Sequence, residues 1–298
     1  MVEAKKVTSF KPLRGVRVLS LALNLPGPAA LMRLHAMGAS CTKVEPPSGD
    51  LMLHYSTQAY EALHVGIKQR TLNLKTEKDL AKLHQALART DVLLTSFRPS
   101  ALVKLGLDWK TLHKRYPTLS LVSIVGAPGA GAETPGHDLT YLAEAGLVTG
   151  LDLPPTLFAD MGGALMASEA VLAAVLHQKL KGKGTHQEVA LSDSATWLAL
   201  PRTWGLTTPG TMIGGAHAGY RVYACKDGRV AVAALEPHFA AALCAAAGVD
   251  AGVAGVSLQT MRSNTTHQTI ADWLMTKTRK ALDRLAVEKD IPLHTMSR

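Results

Sequence analysis

Short runs of branched apolar residues, each bounded by glycine or proline and alternating with stretches of helical periodicity, recur through the first half of this chain. The first is GVRVLSLAL, residues 15 to 23, followed by PGPAALMRLHAMG, a helical stretch that opens on proline and stops at Gly38. ASCTKVEPP reads as a second strand, TEKDLAKLHQALARTDVLLTSF as a helix running into a third, and LSLVSIVGA as a fourth. Strands that are apolar on both faces must be covered on both faces, and their alternation with helices predicts an α/β domain with a parallel sheet and crossover connections. Ligands of such sheets sit beyond the carboxyl ends of the strands.

At 298 residues, 47% of them hydrophobic, the chain can bury a sizeable core, and it is expected to form one larger and one smaller domain. The opening MVEAKKVTSFKPLRG has no apolar core of a leader sequence, no later run is expected to span a bilayer, and the chain reads as cytoplasmic, with no membrane partner. Cys41, Cys225 and Cys244 are odd in number and widely spaced, so they read as buried thiols without metal or redox work. The formal charge of +9 asks for an acidic partner. Its lysines and arginines are scattered, with no basic block or zinc-finger spacing, which argues against nucleic acid and for a small polyanion.

Neither NLPGPAA after the first strand nor GAPGAGAETPG after the fourth is a dinucleotide or P-loop fingerprint, so NAD and ATP are not supported. DMGGALMASEAVLAAVLHQKLKGKG is a helix with acid at its start and lysines at its end, matching the helix dipole. HQEVALSDSATWLALP gives a short strand and another helix. GYRVYACKDGRVAVAAL, residues 219 to 235, is a hairpin turning at Lys-Asp-Gly, and it opens a smaller α+β unit that finishes with TIADWLMTKTRKALDRLAVEKDIPL.

Three titratable residues follow glycine-rich or strand-end positions: His137 in TPGHDLTYLAEAGL, Asp160 in LFADMGGA and Glu236 in VAALEPHF. Singly, each has a commoner use. His137 is an ordinary loop residue beside an Asp138 that caps the helix it begins, Asp160 caps the next, and Glu236 is a solvated strand end. Together they form a candidate set for acid/base chemistry.

In order along nearly the whole chain, LRGVRVLSLALNLPGPAALMRLHAMGASCTKVEPPSGD, DVLLTSFRPSALVKLGLDWKTL, PGHDLTYLAEAGL, FADMGGALMASEAVLAAVLHQKLKGKGTHQEVALSDS and YRVYACKDGRVAVAALEPHF resemble the family III coenzyme A transferases. Gly-His-Asp with Glu-Pro-x-Phe resembles the alpha-methylacyl-CoA racemase branch. The resemblance implies a Rossmann-like CoA-binding large domain over residues 1–195 and a small α+β domain over 196–298, with a shortened C-terminus after IPLHTMSR. It also implies a homodimer, either interlocked or, with the shortened end, more open.

It further implies that His137 and Asp160 exchange the proton on the carbon alpha to a CoA thioester, with Glu236 hydrogen-bonded to the imidazole. A histidine titrates near neutrality, whereas an aspartate needs burial to raise its pKa for such work. Arg98 and Lys104 match the family's phosphate contacts, with Lys75 nearby, and Gly136, Asp138 and Tyr141 are expected beside the CoA. No cofactor is implied beyond coenzyme A carried by the substrate. Two alternatives stand beside this one: a CoA transferase working through an aspartyl-CoA at Asp160, and a non-catalytic acyl-CoA binding protein.

Overall fold

A computed structural model describes residues 10–250, 252 and 255–297. Residues 1–9, in the opening segment read above, and Arg298 lie outside the described residues. The chain divides into two compact units, Met1–Ala199 and Leu200–Arg298. The division falls inside the helix Leu191–Thr203, about one turn beyond the boundary expected from sequence.

The first unit is built on six parallel strands: β1 (Arg17–Ser20), β2 (Ser40–Glu45), β3 (Lys68–Thr71), β4 (Val92–Thr95), β5 (Ser120–Val125) and β6 (His186–Ala190), in the order β3-β2-β1-β4-β5-β6. Alternate residues of one strand feed opposite faces, as the period of a strand requires. Val92 and Leu94 of β4 join Val18, Val122 and Ile124 on one side, while Leu93 joins Leu19 and Leu121 on the other. The helices Pro26–Ala36 and Phe158–Lys181 cover the first side, and Glu77–Leu87, Pro99–Leu105 and Trp109–Arg115 cover the second. The order of connection reverses between β1 and β4, which opens a crevice beyond their carboxyl ends.

β3 was not legible in the sequence. Its residues, Lys68-Gln69-Arg70-Thr71, are all exposed at the sheet's edge, so no apolar alternation marks them. The helix Phe158–Lys181 corrects the expectation about bilayer-length runs: at 24 residues it is long and apolar enough to cross a membrane by length and composition. Its Ala164, Ala167, Val171 and Val175 are packed into the core against the sheet, which is how a central helix of a folded domain behaves.

The second unit pairs three antiparallel strands, β7 (Tyr220–Cys225), β8 (Gly228–Ala233) and β9 (Leu293–Met296), in that order. Cys225 faces Gly228, so the expected hairpin turns through Lys226 and Asp227. β9 adds to the other side of β8 and, like β3, has too short and mixed a pattern to be read beforehand. Val230 and Val232 pack with Leu243, Ile270, Leu274 and Leu282 from the helices Pro237–Ala247, Asn264–Met275 and Arg279–Glu288.

The turn from β1 into the helix Pro26–Ala36 depends on a glycine. A Cβ added at Gly27 would lie 2.2 Å from Ala22 Cβ, at a residue that is wholly buried. Alanine normally stabilises a helix relative to glycine by about 0.5–1 kcal/mol. Here overpacking costs about 1–3 kcal/mol, so Gly27→Ala is expected to lower the denaturant midpoint of the unit. A raised midpoint would contradict this contact.

Candidate active site

A cavity of about 530 Å³ opens in the first unit beyond the carboxyl ends of β1, β4 and β5. Asn24 borders it after β1, Ser96 to Arg98 after β4, and Gly126 after β5. The segment from Thr134 to Tyr141 closes another side and brings Gly136, His137, Asp138 and Tyr141 to the same space as Asp160. Six of the nine residues singled out from sequence therefore meet at one cavity.

His137 occupies the cap position of the helix Asp138–Glu144 in an extended backbone conformation. Its N–H donates to Thr140 Oγ1 at 3.1 Å, and its imidazole is exposed. Asp138 is buried, and its task differs from the expected one. Its Oδ1 accepts the N–H of Asp160 at 2.9 Å, so it caps the helix Phe158–Lys181 across 22 residues of sequence and leaves its own helix to Thr140. The residue preceding that second helix is Leu157, which has no acceptor side chain, so the expectation of Asp160 as its cap is also corrected.

Asp160 is the third residue of its helix and is half-buried. Burial pushes its carboxyl up to about 6; the negative charge of Asp138 adds to the rise, and the neighbouring His137 partly offsets it. Tyr141 is buried beside it. Its phenol is raised by burial first, then by the charge of Asp160, against the opposing pull of Arg98. These couplings put an imidazole, a carboxyl, a phenol and a guanidinium within electrostatic reach in one recess.

Glycines set how closely the backbone approaches. A Cβ at Gly126 would come 2.2 Å from Tyr141 Oη and one at Gly136 2.5 Å from it, so the phenol lies over both. A Cβ at Gly162 would meet Ser194 Oγ at 2.3 Å and one at Gly163 would meet Leu191 Cδ2 at 2.3 Å, which seats the start of the Asp160 helix on Leu191–Thr203. Ser194 Oγ also donates to the Ala159 carbonyl at 3.1 Å. Glu133 was not anticipated. Its two carboxylate oxygens accept from Ser100 N–H at 2.7 Å and Ser100 Oγ at 2.9 Å, capping the helix that follows Arg98, and these bonds hold its own pKa down.

Lys104 and Lys75 do not border the cavity. Lys104 is exposed in the last turn of Pro99–Leu105, and Lys75 is exposed in the turn before Glu77–Leu87. Glu236 belongs to the second unit, where it stands exposed at the cap position of Pro237–Ala247. Among the described residues no group of three or more His, Cys, Asp or Glu side chains could hold a metal ion. The three cysteines are buried, and burial lifts the Cys41 thiol to about 12, far from the reactive thiolate.

Comparison with known proteins agrees with this architecture. The chain is 32% identical over 63% of its length to the probable fatty acyl-CoA transferase Rv3272 of Mycobacterium tuberculosis, covering 52% of that protein. It is 30% identical over 80% of its length to the alpha-methylacyl-CoA racemase of Mus musculus, covering 65% of it. The chain thus spans roughly half to three quarters of the length of the curated relatives it matches. A crystal structure of Rv3272 superposes with a TM-score of 0.81 at 27% identity, covering 97% of this chain and 86% of that one. The description of CoA-transferase family III matches residues 13–298, and the chain belongs to that family.

Proposed function

We propose that the protein acts on acyl-CoA thioesters as an alpha-methylacyl-CoA racemase-like enzyme, moving the proton on the carbon alpha to the thioester from one face to the other. The observation that carries this reading is the meeting of His137 with an Asp160 whose pKa is pushed up to about 6, in one cavity. A group that must both take and return a proton works best when its pKa lies near the operating pH, and burial moves the Asp160 carboxyl toward it. One of the pair removes the alpha proton, the electrons pass into the thioester carbonyl as an enolate, and the other delivers a proton to the opposite face. Asp138 occupies the N–H of Asp160, so that donor is committed to holding the helix start and does not serve the enolate oxygen.

Arg98 borders the cavity and supplies a guanidinium for a CoA phosphate, with the exposed Lys104 and Lys75 further out. The active form is a homodimer in which Glu236 of a second copy orients the imidazole. Support comes from exposed apolar side chains such as Leu176, Leu180 and Trp197, which a second chain would cover. Glu236 itself is exposed, so the desolvation that would demand a partner arises only on association.

The curated relatives also include transferases, such as the cinnamoyl-CoA:phenyllactate CoA-transferase of Clostridium sporogenes at 33% identity, and these favour a second reading. Above pH 6 the Asp160 carboxylate is mostly ionised. It could then attack the thioester carbonyl, expelling the CoA thiolate and leaving a mixed anhydride. The thiolate would attack the aspartyl carbonyl and release the free acid, giving an aspartyl-CoA thioester.

Incubation with a 2-methylacyl-CoA in deuterated water separates the two readings. Deuterium at the alpha carbon is expected, and His137→Ala and Asp160→Ala should each slow its appearance by about a hundredfold or more. A stable aspartyl-CoA adduct on the Asp160 peptide, with no alpha exchange, would favour the transferase.

Asp138→Asn keeps the acceptor for the Asp160 N–H but removes the negative charge that helps raise the Asp160 pKa. That pKa should fall, so in the direction where Asp160 acts as base the acidic limb of the rate profile should move to lower pH. A limb that stays in place or moves up would contradict the coupling.

Glu236→Gln should slow exchange from one enantiomer more than from the other, because it acts on the His137 direction of transfer. Equal native rates from both, followed at early times, would remove Glu236 from the mechanism.

A further inference from the structure

Lys43 of β2 has no exposed side-chain surface. Its ammonium offers three N–H bonds and has three acceptors in place: Asp50 Oδ2, Glu45 Oε1 at 3.0 Å and His64 Nε2 at 2.9 Å. The imidazole accepts there because its Nδ1 faces the Tyr60 carbonyl, and burial keeps the ring below its ordinary pKa and hence neutral. Glu45 also receives the Tyr60 hydroxyl at 2.8 Å. A buried charge is tolerated when every donor is matched in this way.

Lys43, Glu45 and His64 do not border the cavity, yet their arrangement ends there. Asp50, itself 1% exposed, accepts the N–H of Asn24 and the N–H of Met52 on Oδ1, each at 3.0 Å. Asn24 follows β1 with φ of 62°, a left-handed conformation that non-glycine residues hold only when their surroundings fix it. Met52 begins the short helix Met52–Tyr55. Asn24, Leu25, Met52 and Tyr55 all border the cavity. One carboxylate therefore ties the loop after β1 to the loop after β2, and a buried ammonium fixes that carboxylate from beneath.

We propose that Lys43 and Asp50 form a latch that sets one wall of the acyl-CoA cavity, which makes Asp50 a positioning residue for CoA binding. The inference rests on the acyl-CoA reading above. Without the carboxylate, Asn24 loses the acceptor that holds its backbone in the left-handed region, and the two loops part. The consequence falls on affinity, because Asp50 touches neither His137 nor Asp160.

Titration calorimetry with CoA tests the latch. The unaltered chain comes first, and failure to bind CoA overturns the acyl-CoA reading and the latch with it. With binding established, Asp50→Ala should raise the dissociation constant about tenfold or more. Asp50→Asn, which keeps a weaker neutral acceptor, should raise it about threefold. Stoichiometry reports the folded fraction and the dissociation constant reports the wall. A reduced number of sites at unchanged affinity in Asp50→Ala would mean support of the fold alone and would overturn the latch. Should Asp50→Ala not fold, Asp50→Asn decides. Faster amide hydrogen exchange at Asn24 and Met52 with weakened CoA binding supports the proposal, and native affinity overturns it.

Discussion

The hydrogen bond from the Asp160 N–H to Asp138 holds the candidate site together, because it joins two helices that the sheet alone would leave independent. The start of a helix offers N–H groups without partners, and an acceptor borrowed from elsewhere in the chain fixes both ends of the bond. The same carboxylate places a negative charge beside Asp160. Position and acidity therefore come from one side chain. The two neighbouring acids are tolerable together because the buried Asp138 is bonded to a backbone donor, while the half-buried Asp160 keeps part of its surface in the cavity.

The pattern recurs around the recess. Glu133 secures the helix start after Arg98, and Asp50 secures the backbone after β1 and before Met52–Tyr55. In each case a carboxylate accepts from a main-chain N–H at the start of a helix beside the cavity, and Asp50 also takes that of Asn24 in the loop after β1. Loops at the carboxyl ends of strands have no ladder hydrogen bonds of their own, so these side chains supply the order that the sheet supplies elsewhere. Glycine completes the arrangement from the other side. At Gly126 and Gly136 the absence of a side chain is what admits the Tyr141 phenol.

Much of the fold was legible because its signals are apolar and local. β1, β2, β4 and β5 announce themselves as branched runs, and the hairpin of β7 and β8 by its alternation and turn. β3 escaped because its residues are polar and exposed throughout, and β9 because it is a short mixed run with Leu293 against the core. At the site, His137 and Asp160 were legible through their motifs, and the structure brings both to one cavity with Arg98, Gly136, Asp138 and Tyr141. The partner of Asp138 was not legible, since a bond spanning 22 residues leaves no periodic trace. Nor was the burial of Lys43, because a lysine in a strand reads as surface until its three acceptors are seen together. Glu236, after an apolar strand, reads singly as a solvated strand end. The strand ends before it, and the side chain is exposed at a helix start.

The polar edge at β3 has a bearing on how copies of this chain can meet. A strand that presents Lys68 and Arg70 to solvent sets like charges against any identical strand that tries to align with it, and so resists extension of the sheet from one molecule to the next. The other edge, β6, begins with His186, Gln187 and Glu188, which are equally unsuited to dry strand pairing. Growth by sheet addition is thus discouraged at both ends. Contact between copies through this six-stranded sheet is thereby left to the helices that cover its faces, whose ridges and grooves limit how far an array can extend.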